Sequence, residues 1–169
     1  MEKKILTEQS LYIGDVSMPK DFEINRKELA HYILHCKLTG EKYPHSRTQD
    51  MLTAYISENF NLKYKQKLIY KESWGDIYKP LQITPPISNI DPVDLKHSPD
   101  YTMLYGIEVE DCIVRIYYDD NRRKGRSWDI PLENNKFIIF PSSNTYYITN
   151  NQKDSLNFVQ TTTYDHTGR

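Results

Sequence analysis

From Lys136 to Tyr164 the chain reads KFIIFPSSNTYYITNNQKDSLNFVQTTTY, and this stretch leaves little choice of backbone. Phe137 to Phe140 is an apolar run ended by Pro141, and Thr145 to Thr149 makes a second run after Ser142, Ser143 and Asn144. Asn150 to Ser155 is wholly polar and marks a turn. Asn157 to Tyr164 then alternates, with Phe158, Gln160, Thr162 and Tyr164 on one face and Val159, Thr161 and Thr163 on the other, the two-residue period of a pleated strand. The stretch predicts paired strands joined by a polar turn, at the back of a sheet.

Upstream the period changes. Leu11, Tyr12, Ile13 and Val16 make a short strand before the Met18-Pro19 break. Asn25 and Glu28 have the spacing of a capping box, and Leu29, Ile33 and Cys36, with Tyr32 beside them, then line one helical face until Gly40. A second helix starts at Ser46, with Gln49 three residues on, and buries Met51, Leu52, Tyr55, Ile56 and Phe60. Lys63 to Tyr70 alternates and predicts a strand, with Trp74 to Tyr78 a separate short one. Pro85, Pro86 and Pro92 make TPPISNIDP a loop or an edge. Tyr101 to Val109, Ile113 to Tyr118 and Trp128 to Leu132 supply three more strands, the last two joined by DDNRRKGR. Two early helices followed by strands predict an α+β chain, the helices covering one side of an antiparallel sheet or sandwich. At 169 residues this is one domain, with residues 1–61 packing on a strand core of residues 62–165.

Charged residues make up 27% and nearly cancel, at a net charge of -1, which argues against nucleic acid or an anionic membrane as partner. Partners must be chosen locally, and 14 Tyr against 5 Phe suit sheets and interfaces. Cys36 and Cys112 fit no metal spacing and read as free thiols. Neither a membrane-length apolar run nor an apolar leader is visible, so the expected setting is a reducing cytoplasm, a cell's own or an infected host's, and not secretion.

Two clusters carry potential chemistry. In DDNRRKGR, Arg122, Arg123, Lys124 and Arg126 can grip phosphate or an acidic surface, or form a solvated hairpin tip; the adjacent Asp119 and Asp120 favour the tip or a protein contact. In DPVDLKHSPD, Asp91, Asp94, His97 and Asp100 are spaced by threes, as a curled metal loop or a self-bonded turn would be. His31, His35 and His45 lack a completing set. No nucleophile triad or phosphate-cradling glycine loop is visible.

The order of these elements, FIIFPSSNTYYI in place of an FPSxxxHxV motif, and the preceding YTMLYGIEV resemble the 2-oxoglutarate and Fe(II)-dependent oxygenases, in particular small oxygenase-like proteins of tailed marine phages of cyanobacteria. The resemblance covers roughly Trp74 to Tyr164. It implies a double-stranded β-helix, a jelly roll whose open end holds iron by a His, an Asp or Glu two residues on, and a distal His, with an Arg or Lys of the last strand fixing the cosubstrate. On this sequence those positions fall on Asn89, Asp91, Tyr146 and Leu156, with Lys153 nearby in the turn. A carboxamide and a neutral phenol are weak iron ligands, and Leu156 offers a dianion no partner. So read, the chain has no catalytic residue, metal or cofactor. It is a non-catalytic jelly roll working by contact with other protein subunits, as a structural or assembly component of a tailed-phage virion. The rivals are an Fe(II)/2-oxoglutarate-dependent hydroxylase that needs Asp91, and a barrel mouth lined by Trp74, Tyr105 and Tyr146 that takes a sugar or other small ligand.

Overall fold

Strand β1 (Tyr12–Asp15) precedes helices α1 (Arg26–Thr39) and α2 (Arg47–Tyr64) in the computed structural model, which describes residues 1–5, 8–18, 23–118 and 126–167. Both helix starts are capped as the sequence predicts: Asn25 Oδ1 accepts from the Glu28 backbone N–H at 3.1 Å, and Ser46 Oγ from that of Gln49 at 3.1 Å. The Glu28 carboxylate takes a different part from the one a capping box gives it. It accepts from the Tyr32 hydroxyl and from Thr48 Oγ1, both at 2.8 Å, and so ties α1 to α2. Gly40, at φ 74°, closes α1 in the left-handed conformation that glycine adopts without strain. Helix α2 runs on to Tyr64, into the stretch whose alternation predicts a strand. Phe60 and Tyr64, one turn apart, stack at 5.0 Å and both rings meet Tyr12 of β1, so tertiary packing extends the helix.

The remaining strands are β2 (Lys67–Tyr78), β3 (Tyr101–Glu108), β4 (Cys112–Tyr118), β5 (Arg126–Leu132), β6 (Lys136–Pro141), β7 (Tyr146–Asn150) and β8 (Asn157–Thr167). They form a five-stranded sheet ordered β1-β6-β3-β8-β2 and a three-stranded sheet ordered β5-β4-β7, with every pairing antiparallel. Ile83 and Ile87 add isolated bridges to Thr149 and Tyr146 at the free edge of β7, so the proline-rich segment is an edge, as its composition predicts. The short strand expected at Trp74 is the end of the long β2, whose register shifts between Tyr70 and Glu72.

The closing stretch departs most from its sequence reading. Neither β6 and β7 nor β7 and β8 pair with each other: β6 lies between β1 and β3, β7 beside β4, and β8 between β3 and β2. The polar residues on either side of β7 carry the chain from one sheet to the other and back, which is the jelly-roll crossing. Strand β8 therefore supplies two cores. Its Tyr164 joins Leu29, Ile33, Leu52 and Ile56 under the helices, and its Val159 joins Leu104, Val114, Ile138, Phe140 and Ile148 between the sheets. The α+β jelly roll covered by two N-terminal helices is thus the observed fold. No helix among the described residues is long and apolar enough to cross a membrane.

Candidate functional site

The open end of the barrel gathers the end of β6, the starts of β3 and β7, the later part of β8 and the Ile83–Asn89 edge. Cross-strand partners share a face, so the register of β2 with β8 sets which side chains enter it. Trp74 opposes Thr161, Asp76 opposes Val159 and Tyr78 opposes Asn157, which places all three β2 side chains on the face between the sheets. At the centre, Asn89 Nδ2 donates to Thr102 Oγ1 at 3.1 Å and to the Tyr146 hydroxyl at 3.3 Å. Thr102 Oγ1 and Ser142 Oγ lie 2.8 Å apart, and Thr161, opposite Trp74, turns to the same face. Thr102, Ser142, Tyr146 and Thr161 are all buried, and burial pushes the Tyr146 phenol up to about 12. Tyr146 is therefore a neutral hydroxyl at pH 7. Asp76 stands on the edge strand β2, opposite Val159, and its carboxylate accepts from Lys37 Nζ in the last turn of α1 at 3.1 Å.

Several residues named from the sequence stand elsewhere. Tyr105 does not line the mouth: it is fully buried in the core under the helices, and its hydroxyl donates to Asn135 Oδ1 at 2.7 Å. Its neighbour Leu104 has the inward parity. Leu156 lies in the turn before β8, on the wall of a polar cleft of about 700 Å³ at the opposite end of the barrel. Counting residues from Tyr146 misplaces the anchor position, because the register puts Asn157 and Val159 on the inward face. Asn157 instead clasps the β3–β4 turn, its Oδ1 accepting from the Glu110 N–H at 3.0 Å and its Nδ2 donating to the Glu110 carbonyl at 3.1 Å. Arg122, Arg123 and Lys124 lie outside the described residues, while Arg126 is exposed at the start of β5.

The Asp91–Asp100 loop spends its polar groups on its own turns and on the end of β8. Asp91 Oδ1 accepts from the Val93 N–H at 2.9 Å, Asp94 accepts from His97 Nδ1 at 2.9 Å, and Asp100 Oδ2 accepts from the His166 N–H at 3.0 Å. Among the described residues no group of three or more His, Cys, Asp or Glu is placed to hold a metal ion.

No family model and no curated protein matches the chain. Solved structures do match over nearly its whole length. A prolyl-4-hydroxylase from Pseudomonas putida is 11% identical, with a TM-score of 0.64 over 95% of this chain and 94% of its own. AviO1 from Streptomyces viridochromogenes is 10% identical, with a TM-score of 0.65 over 93% and 90%. The non-heme α-ketoglutarate-dependent epimerase SnoN from nogalamycin biosynthesis is 10% identical, with a TM-score of 0.61 over 92% and 77%. The chain has the oxygenase-type double-stranded β-helix. These matches correct the contact-only virion reading and the accompanying expectation of no cofactor, because the structures that share the fold include a prolyl-4-hydroxylase and an α-ketoglutarate-dependent epimerase. At such identities the likeness establishes shape, and chemistry must be argued from side chains.

The side chains at the positions that the resemblance assigns to iron do not fit Fe(II). Asn89 and Tyr146 bond each other, a neutral amide against a neutral phenol, and Asp91 is turned into its own loop. An open iron site of this class wants imidazoles and a carboxylate converging on one point. The inward positions of β8 from Asn157 to Thr163 are Asn157, Val159, Thr161 and Thr163, so this strand turns no cation toward a dicarboxylate cosubstrate.

Proposed function

We propose that the protein works at the open end of its barrel, where a small organic ligand enters between the two sheets. The observation that carries this reading is the convergence there of Trp74, Asp76, Asn89, Tyr146 and Thr161 in a fold that matches 2-oxoglutarate/Fe(II) oxygenases end to end. Among specific activities, hydroxylation by an Fe(II)/2-oxoglutarate-dependent enzyme is the one these comparisons favour, in place of contact alone. Because the donor set does not fit iron, no step is written through the metal or the cosubstrate. The chain's own residues supply binding functions: Tyr146 and Asn89 present neutral donors and acceptors, and Lys37 neutralises the Asp76 carboxylate on β2.

Calorimetric titration of the purified protein with Fe(II) and 2-oxoglutarate, followed by assay of 2-oxoglutarate consumption, decides the activity. Uptake of about one Fe(II) per chain, with turnover that is lost in Asp91→Ala, supports the hydroxylase. Absence of both uptake and turnover overturns it and leaves ligand binding as the work of the open end.

A further inference from the structure

Beside the Asn89–Tyr146 centre, at the same end of the barrel, a cavity of about 310 Å³ opens between β5, the end of β6 and the segment leading into β1. We propose that it binds a small uncharged ring bearing a carboxamide or hydroxyl group; this rests on the reading of the open end and names the class of ligand it takes.

Four observations carry the proposal. Trp128 of β5 opposes Ile116 of β4 and shares its face, yet Ile116 is 4% exposed and Trp128 60%. An indole on the inward side of an edge strand is thus left uncovered, as the wall of an aromatic slot would be. Phe140 and Tyr118 supply further aromatic walls, and Phe140 packs edge-on against Tyr146 at 5.1 Å, so the cavity abuts the centre described above. Asn144 lines the cavity and is 8% exposed, yet its carboxamide makes no hydrogen bond to any of the described residues. Its amide atoms are open to the cavity rather than sealed from it, and so are free to pair with a ligand group that both donates and accepts. Finally, among the described residues none that lines the cavity is charged, so these walls offer an anion no compensating cation. The volume stands at the lower end of small-molecule sites, which admits one ring and its substituent.

Benzamide is a suitable probe, with benzoate as its charged counterpart of the same shape. In the full-length protein, labelled with ¹⁵N, benzamide is expected to move the Trp128 indole N–H resonance saturably, and benzoate to bind about ten-fold more weakly or less. Trp128→Ala should weaken benzamide binding by about ten-fold while leaving the melting temperature close to that of the parent. Asn144→Leu should narrow the gap between benzamide and toluene. An unmoved indole resonance, equal binding of benzamide and benzoate, or unchanged affinity in Trp128→Ala would overturn the proposal. Should Trp128→Ala fail to fold, the benzamide–benzoate contrast on the parent protein still decides. If Fe(II) and 2-oxoglutarate are not taken up but benzamide binds, only the hydroxylase reading is lost; if turnover occurs but benzamide does not bind, only the cavity assignment is.

Discussion

Tyr146 and Asn89 meet at the open end of the barrel, where the Asn89 amide donates to the Tyr146 hydroxyl at 3.3 Å. Removing the phenol hydroxyl leaves the half-buried Asn89 amide with Thr102 alone. Tyr146→Phe is therefore expected to destabilise the fold by about 1 kcal/mol, and a double-mutant cycle with Asn89→Ala should return a coupling of about 0.5–1.5 kcal/mol, read from urea unfolding. A coupling near zero would separate the two residues. The thiols make a second test at this scale. Burial pushes Cys112 up to about 12, whereas Cys36 is half-buried on α1, so a thiol reagent at pH 8 should titrate one cysteine in the native protein and both in denaturant. Asn89 and Tyr146 were legible in the sequence through TPPISNIDP and FPSSNTYY. Asp76, Thr102 and Thr161 were not, because short polar residues within strands declare a site only once the register shows what they face.

At the scale of elements, the two-residue period of β8 was readable, and both faces proved buried, one under the helices and one between the sheets. Its partners were not readable: proximity in sequence suggests pairing, and here each short crossing changes sheets instead. Parity has the same weakness, since alternation in β3 separates Leu104 from Tyr105 without saying which side is the mouth. The α1–β2 contact turns on one missing side chain. A Cβ at Gly75 would stand 2.1 Å from Ile33 Cγ1, in a core with no slack on the helix side. Gly75→Ala should cost about 1–3 kcal/mol by forcing α1 outward, and the paired change Gly75→Ala with Ile33→Ala should recover part of that loss in thermal unfolding.

For the molecule as a whole, buried phenols set the alkaline limit of stability. Burial is the first cause raising Tyr43, Tyr78, Tyr105, Tyr146 and Tyr164 above their ordinary range. Below about pH 10 these groups are protonated in both folded and unfolded chains; above it the unfolded chain ionises first, so stability falls as pH rises. Urea midpoints should hold steady from about pH 7 to 9 and drop between about pH 10 and 12, and a flat profile would contradict the burial of these rings. The central claim is that the open end of the barrel is the working end. Chemical-shift mapping of the ¹⁵N-labelled protein against a mixed library of small neutral and anionic compounds tests it most directly. Perturbations are expected to gather on Trp74, Asn89, Trp128, Asn144 and Tyr146; perturbations gathered instead in the polar cleft between Asn25 and Glu110, or spread over the outer helix faces, would place the working surface elsewhere.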